Sequence, residues 1–247
     1  MPDTRIPDEQ LENKTVKVDI LLAQFQSRRQ RRTHSSRRMG LWRLTVRCSY
    51  ALKRLIDIVG SSLAILFLSP LFLVIALLIK LTSKGPIFFT QMRVGKYGRL
   101  FRFYKFRSMY VGAEREKQLL LAQNESTDGV IFKMKNDPRV TSIGRFIRKY
   151  SIDELPQLFN VFLNDMSLVG PRPPLPEEVA HYTIGDRKRL DVKPGLTCFW
   201  QVSGRSAIPF KKQVALDEQY IRSWSLKQDL LILLRTIPAI LTGKGAY

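Results

Sequence analysis

The chain has 247 residues and a formal net charge of +20, and 45% of its residues are hydrophobic. This composition is typical of one globular domain with extensions, and it excludes a wholly disordered chain. Two cysteines exclude a disulfide framework and a cysteine-rich zinc site, and two histidines argue against a His-rich metal site. The basic excess favours a polyanionic neighbour, which is nucleic acid, an anionic membrane face or a phosphorylated substrate.

The first 50 residues are polar and then strongly basic. Residues 1–27 form a polar extension without the apolar segment of a secretory signal peptide. Residues 28–50 contain many arginines and no acidic residue, which predicts a flexible basic arm. Such an arm is typical of a solvated tail or a nucleic-acid contact, and only the segment that follows it favours a role at a membrane surface.

An uncharged apolar segment follows, from Ile58 to Ile79. At about 1.5 Å per residue, a straight helix of this length covers about 33 Å, enough to cross a bilayer core of about 30 Å. Ser69 and Pro70 lie in its middle, where proline removes a backbone donor and kinks or breaks a helix. The Ser69 hydroxyl is placed to satisfy a carbonyl that Pro70 leaves free.

Two topologies fit this segment. A re-entrant membrane hairpin over residues 51–82 keeps the basic residues on both flanks on the cytoplasmic side, as basic residues prefer. A single proline-kinked span would export either the arm or the main domain, and it remains the alternative.

Residues 83–247 are expected to form one cytosolic domain. Ile87 to Phe89 and Leu100 to Tyr104 are typical of strands, and Gly95 and Gly98 mark the turn between them. Leu226 to Leu241 predicts an amphipathic helix, interrupted by Pro238, that lies either in the membrane interface or against the core. The predicted fold class is therefore α+β, mainly helical, with a membrane helix-break-helix hairpin, a compact catalytic domain, interfacial amphipathic helices and a small β element.

The adjacent carboxylates Asp153 and Glu154 are the most suggestive pair for chemistry. One interpretation is helix capping, either by a Ser151–Glu154 capping box or, because Pro156 suits a first turn, by Asp153 as the N-cap. The other is catalysis, in which an Asp kept ionised by Arg148 attacks phosphorus and the Glu assists proton transfer or metal binding. The chain lacks the Walker A, Rossmann, HExxH and GxSxG motifs.

Three further clusters suit phosphate or nucleotide binding. Lys105 and Arg107 share a face of the second strand by alternation, although a solvated basic face is the alternative. Arg172 stands between two prolines that lower the entropic cost of presenting its guanidinium to a phosphate. Trp200 and Gln201, followed by Arg205, are candidates for holding a nucleotide base. His181 is interpreted as structural.

Many segments, in order, resemble the bacterial sugar transferases of the monotopic phosphoglycosyl transferase superfamily. The resemblance covers about residues 51–247, and Asn164 stands where the family often has glycine, a position at which Asn also tolerates a left-handed turn. The matching segments are Lys53-Arg54 with Asp57, Ser69-Pro70, 85–89, 104–109, 151–158, 165–167, 169–173, 193–197, 201–205, and Leu216-Asp217 with Tyr220.

The resemblance implies a specific reaction. Asp153 would attack the β-phosphate of a UDP-sugar and release UMP, and polyprenyl phosphate would then accept the sugar phosphate. Mg²⁺ would bind at Asp153, with Glu154 handling metal or protons. The resemblance places Arg148, Arg172 and Arg205 around the phosphates, gives Lys105 and Arg107 less defined roles, and makes Ser69-Pro70 the break of the membrane helix.

The resemblance also implies a setting. The enzyme would initiate exopolysaccharide, capsule, O-antigen or glycoprotein glycan assembly at the cytoplasmic face of the bacterial inner membrane. Its expected partners are the UDP-sugar, polyprenyl phosphate, anionic lipids and downstream glycosyltransferases, with no specific nucleic acid. A membrane-tethered nucleic-acid-binding protein and a non-catalytic scaffold are the competing hypotheses.

Overall fold

The structure is a computed structural model that describes the backbone of residues 8–120, 124–125, 132, 134 and 136–243. Side chains are described from residue 44 onward within these ranges, apart from Lys117 and Ser206. The chain divides into two compact units, residues 1–52 and residues 53–247. The predicted polar extension and most of the predicted arm therefore lie outside the described side chains.

Helices predominate, and the strands form two small two-stranded sheets. Short 3-10 turns at Lys96–Gly98, Ile152–Glu154, Asp186–Leu190 and Arg205–Ala207 connect several elements. The longer elements are α1 (Asp8–Thr82), β1 (Phe88–Val94), β2 (Leu100–Phe106), α2 (Ala113–Leu119), α3 (Ser142–Lys149), α4 (Gln157–Phe162), β3 (Ser167–Val169), α5 (Pro176–Ala180), β4 (Gly195–Thr197), α6 (Phe199–Ser203), α7 (Phe210–Arg222) and α8 (Leu226–Thr242).

Helix α1 includes the apolar segment that the sequence predicts. Leu44–Thr82 is long and apolar enough to cross a membrane, and only 11% of its most apolar window is buried. The helix runs through Pro70 as one element, so the predicted break is not confirmed. The Ser69 hydroxyl donates to the carbonyl of Leu66 at 2.8 Å, the carbonyl that proline at position 70 leaves without its helical donor.

The basic arm also differs from its prediction. The sequence predicts a flexible arm over residues 28–50, whereas α1 continues through them. Arg, Gln and Leu have high helix propensity and no proline interrupts this stretch, which outweighs the low propensity of Ser35, Ser36 and Gly40.

The beginning of the apolar segment is fastened to β3 and its neighbours by buried polar bonds. Asp57 is buried and accepts hydrogen bonds from the Ser167 hydroxyl at 3.0 Å and the Leu168 amide at 2.9 Å. Lys53 pairs with Asp229 of α8 at 2.6 Å. The beginning of the apolar segment is therefore held by residues more than a hundred positions away in the chain.

The end of the apolar segment packs on the other side of Pro70 against the same unit. Ile75 and Ile79 are fully buried and form a cluster with Phe106 of β2 and Ile147 of α3. Phe72 meets Phe106 edge to face, with ring centroids 5.5 Å apart. Residues on both sides of Pro70 thus contact residues 83–247.

The two predicted strands form an antiparallel hairpin, which confirms the β element and extends both strands. Phe88 pairs with Phe106 and Val94 with Leu100. Gly98 has a φ of +78°, which a residue without a side chain adopts without strain in the tight turn. The hairpin carries Gln91, Arg93 and Lys105 towards the cavity described below.

The second sheet pairs β3 and β4 in parallel and positions the Pro-Arg-Pro turn. A Cβ on Gly195 would overlap the backbone of Gly170, so two glycines are required where these chain segments meet. The Gly195 amide donates to the carbonyl of Pro171 at 2.8 Å. The sheet thereby fixes the chain on one side of Arg172.

Helix α8 has one face against the core and one exposed apolar face, and its position in a membrane interface stays a prediction. Ile232 is fully buried and joins a core cluster with Val169 and Tyr220, so one face packs against the domain. The helix continues through Pro238. Its other face exposes a row of large apolar side chains typical of an interfacial helix, at Leu230, Leu231, Leu234, Ile237 and Leu241.

We expect the Asp57→Ala variant to be less stable by about 1–3 kcal/mol, because two buried donors lose their acceptor. The measurement is the thermal or denaturant midpoint of the detergent-solubilised protein. Asp191→Ala, at an exposed position, is the matched control and should leave the midpoint unchanged. Equal midpoints for both variants would contradict this role of Asp57.

Candidate functional site

A cavity of about 370 Å³ lies between the β1–β2 hairpin and the helices that follow it. Strands, helices and turns from across residues 91–213 line it, including most of the side chains that the sequence singles out. The predicted site residues on its wall are Lys105, Arg148, Asp153, Glu154, Arg172, Trp200, Gln201 and Arg205.

A left-handed residue turns the chain into the carboxylate pair. Helix α3 ends at Lys149, and Ser151 has a φ of +54° before the 3-10 turn that holds Asp153 and Glu154. Ser151 makes no side-chain capping bond, and Asp153 lies inside the 3-10 turn, whereas Pro156 holds the N-cap position of α4. The capping interpretation of this segment is therefore wrong, since the carboxylates are directed to cations instead.

Two cations from distant segments hold the pair. Lys105 of β2 places its Nζ 2.8 Å from Glu154 Oε1 and 3.3 Å from Asp153 Oδ2. Arg172 places Nη2 2.9 Å from the same Glu154 oxygen. Asp153 is 6% exposed, so the charges meet away from bulk water and the pairing is strong.

The two carboxylates are not equivalent. Burial acts to raise the pKa of both, but Arg172 and Lys105 outweigh it at Glu154 and lower its pKa well below the usual range. The same contact raises the pKa of Arg172. Burial raises the pKa of Asp153, with Lys105 opposing the shift and the charge of Glu154 adding to it. A carboxylate with a raised pKa is the more basic of the two and the stronger nucleophile when ionised.

Arg205 reaches the same turn from the C-terminal side. It follows Gly204, has a φ of +52°, and its Nη2 donates to the Ser151 hydroxyl at 3.0 Å. Its other terminal nitrogen, Nη1, is buried and without a partner among the described residues. Arg205 thus supports Ser151, which turns the chain towards Asp153, and its Nη1 donor stays unpaired among the described residues.

Arg107 does not join the cavity. Its guanidinium donates to the carbonyls of Ser83 and Lys84 at 2.8 and 2.9 Å, just beyond the end of α1. Strand β2 ends at Phe106, so the alternation that predicts a shared face for Lys105 and Arg107 does not extend to Arg107. Arg107 instead fastens the chain just after α1 to the end of β2.

Two arginines on the cavity wall were not predicted. Arg93 alternates with Gln91 on β1, but the predicted strand ended at Phe89, so the alternation that could have found Arg93 lay beyond the predicted element. Arg189 is buried, pairs with Asp217 and donates to the Tyr182 hydroxyl at 3.0 Å. It lies in a segment of mixed charge, residues 186–191, without any pattern that would separate it from its neighbours.

Several buried nitrogen atoms of cavity-lining residues have no hydrogen-bond acceptor. Within the described part of the chain, four lining residues have a buried nitrogen without a partner, and each of these nitrogens is a donor. Unpaired buried donors are unfavourable, so this wall is suited to a ligand rich in acceptor oxygens. The atoms are Arg93 Nε, Arg189 Nε, Trp200 Nε1 and Arg205 Nη1.

The site has a limited set of metal ligands. No group of three or more His, Cys, Asp or Glu side chains within the described residues is arranged to hold a metal ion. Asp153 and Glu154 offer adjacent carboxylate oxygens beside Lys105 and Arg172. This set fits Mg²⁺, which binds through one or two carboxylates together with substrate phosphates rather than in an all-protein cage.

An exposed apolar helix and a donor-rich cavity around two buried carboxylates are typical of a membrane-associated enzyme that acts on phosphate-bearing substrates. The chain belongs to the bacterial sugar transferase family, whose model matches residues 48–243.

Named relatives support this assignment. The chain is 49% identical over 197 residues to the galactosyl transferase CpsE of Streptococcus agalactiae, covering 78% of this chain and 43% of that protein. It is 45% identical over 208 residues to the undecaprenyl-phosphate galactose phosphotransferase of Salmonella typhimurium, covering 83% and 43%. It is 40% identical over 198 residues to the exopolysaccharide production protein ExoY of Rhizobium meliloti, covering 79% and 88%. The chain therefore spans less than half the length of the first two relatives and most of the third.

We expect the Lys105→Met variant to lose about 3 kcal/mol of stability at pH 8, because two adjacent buried carboxylates lose their shared cation. Without Lys105 the pKa of Asp153 rises further above its unfolded value, whereas Arg172 still pairs with Glu154. The loss therefore grows as pH rises above the unfolded pKa of Asp153 and recovers as pH falls towards 5.

The measurement is the midpoint of unfolding at pH 5 and pH 8, with the exposed Lys211→Met variant as control. A deficit of the same size at both pH values would show that Lys105 acts through packing rather than through its charge.

Proposed function

We propose that this protein transfers a sugar 1-phosphate from a UDP-sugar to polyprenyl phosphate through a covalent intermediate on Asp153. The observation that carries the proposal is a buried carboxylate pair in which two cations engage Glu154 and leave Asp153 the more basic partner, on a wall of unpaired donors. The relative from Salmonella is named for galactose phosphate transfer and for undecaprenyl phosphate, which supports the donor and acceptor classes.

The first step forms one bond and breaks another. A carboxylate oxygen of Asp153 attacks the β-phosphorus, the bond from that phosphorus to the bridging oxygen breaks, and UMP leaves with the electron pair. Arg172 and Arg205, with Arg148 on the same wall, stabilise the charge that develops on the phosphate oxygens. Glu154 holds Arg172 and Lys105 in place during this step.

The second step regenerates the enzyme. A phosphate oxygen of polyprenyl phosphate attacks the phosphorus held on Asp153, the aspartyl–phosphorus bond breaks, and the carboxylate returns to Lys105. The product is a polyprenyl diphosphate sugar. Two steps through a covalent intermediate replace one difficult transfer. Mg²⁺, bound by Asp153 and assisted by Glu154, would neutralise charge on the phosphates.

The base of the nucleotide is assigned to Trp200 and Gln201. Trp200 is 7% exposed, and its indole nitrogen is one of the unpaired donors on the wall, suited to a carbonyl oxygen of a pyrimidine base. Arg107 is not part of this assignment, because its guanidinium is used at Ser83 and Lys84.

The apolar segment is assigned a re-entrant topology at the cytoplasmic face of the inner membrane. Asp57 and Ile75 stand on opposite sides of Pro70, yet both pack against residues 83–247. A span with its two ends on opposite membrane faces would separate these contacts. The topology keeps the site at headgroup level, where a lipid phosphate and a soluble nucleotide both arrive, with residues 28–50 on anionic lipid. The product would initiate assembly of an exopolysaccharide or a related glycan.

The Asp153→Asn variant is expected to release no UMP from a UDP-sugar, because an amide cannot form the covalent intermediate. The assay is Mg²⁺-dependent UMP release in nanodiscs, with radiolabelled UDP-galactose and undecaprenyl phosphate. The labelled wild-type polypeptide should be trapped when the acceptor is omitted. Asp191→Asn is the exposed control, and full activity in Asp153→Asn would overturn the nucleophile assignment.

Labelling of cysteines in intact cells tests the topology. Cys48 is exposed and precedes the apolar segment, and Lys84 is exposed after it. We expect Cys48 in the wild type, and the new cysteine of the Cys48→Ser/Lys84→Cys variant, to react with a membrane-impermeant maleimide only after the inner membrane is permeabilised. Reaction of one position in intact spheroplasts would establish a span instead.

A further inference from the structure

Arg93 stands on the cavity wall without a carboxylate partner. It shares a face of β1 with Gln91, and its Cζ lies 5.2 Å from the centre of the Phe103 ring. Lys105 Nζ lies 5.8 Å from the same ring. Arg93 and Lys105 are therefore neighbours on one face of the hairpin. Of these two cations, Lys105 alone forms an ion pair with an acidic side chain among the described residues.

The hydrogen bonds of Arg93 go to neutral oxygens. Nη1 donates to the carbonyl of Pro173 at 3.1 Å, and Nη2 donates to Gln91 Oε1 at 3.1 Å. The next residue, Val94, donates its amide to the carbonyl of Pro174 at 3.0 Å. Two consecutive residues at the end of β1 thus hold the carbonyls of Pro173 and Pro174, the two residues that follow Arg172.

This turn carries Arg172. The Pro173 carbonyl that Arg93 holds belongs to the residue directly after Arg172, and the Gly195 amide holds the Pro171 carbonyl directly before it. Arg172 in turn places Nη2 2.9 Å from Glu154. A displacement of the Pro173 carbonyl would therefore move the base of the Arg172 side chain relative to the carboxylate pair.

The arrangement is electrostatically unfavourable for Arg93 itself. Burial and the nearby charge of Arg172 lower the pKa of Arg93 to about 10. A neutral side chain would avoid this repulsion, but it would not supply planar donors to both Pro173 and Gln91.

We infer that Arg93 is a positioning residue of the transfer reaction, acting through the Pro173 carbonyl to hold Arg172 against Glu154 and the donor phosphates. This inference rests on the proposed function. A small displacement of a charge-stabilising group is enough to reduce turnover by about a hundredfold. In a variant without the Arg172 guanidinium, Arg93 should therefore contribute little to turnover or to donor binding.

The test is a double-mutant cycle of Arg93→Gln and Arg172→Gln. The readouts are kcat and KM for UMP release, together with the Kd of UDP, which stays measurable when turnover is lost. Arg93→Gln should lower kcat by about tenfold to a hundredfold and raise the Kd of UDP. In the Arg172→Gln background the same substitution should change the Kd by less than about twofold, because coupled residues are not additive.

Arg93→Lys separates positioning from charge. Lysine keeps the positive charge but cannot hold Pro173 and Gln91 together, so it should not restore kcat or the Kd. Arg102→Gln, on an exposed position of the same hairpin, is the control and should match the wild type. The midpoint of unfolding is measured for each variant to report folding.

Three outcomes would overturn the inference. Additive effects on the Kd would mean that Arg93 contacts the ligand directly, restoration by lysine would mean that charge alone matters, and wild-type kinetics of Arg93→Gln would remove the role altogether. A wild-type protein that neither binds UDP nor releases UMP would instead refute the proposed function, so the two failures are distinguishable.

Discussion

The site depends on the burial of two adjacent carboxylates against cations from two other parts of the chain. Asp153 and Glu154 repel each other and lose hydration when buried, so the turn that holds them is unfavourable by itself. Lys105 from the hairpin and Arg172 from the Pro-Arg-Pro turn offset this cost at Glu154. The hairpin, the turn and α3 must therefore come together for the pair to exist, which couples folding to the formation of the site.

The same requirement links the membrane segment to the chemistry. Phe106 follows Lys105 and packs on Ile75 and Ile79 of α1, while Arg107 holds the chain just beyond the end of α1. Three consecutive residues thus contact the carboxylate pair (Lys105), helix α1 (Phe106) and the chain just after α1 (Arg107). A displacement of α1 would reach Lys105 through the residues directly after it, Phe106 and Arg107.

The cavity wall combines the carboxylate pair with an excess of buried donors. Its buried, unpaired nitrogens are all donors within the described residues, and several belong to arginines. A ligand rich in acceptor oxygens would satisfy these donors and offset the repulsion between Arg93 and Arg172. Family membership, which the match over residues 48–243 establishes, is consistent with this chemistry.

The sequence alone determined which segment is apolar and where the β1–β2 hairpin lies, and it singled out Asp153, Glu154 and Arg172 as candidates for chemistry, because periodicity and motif spacing are local properties. It left capping and catalysis open for Asp153, and it grouped Arg107 with Lys105 by alternation. Only the tertiary structure excluded capping by this segment and separated Arg107 from Lys105, since the partners of a side chain come from remote segments. Arg93 and Arg189 gained their places in the cavity only through packing, because nothing adjacent to them in the chain distinguishes an arginine that lines a cavity from one that faces water.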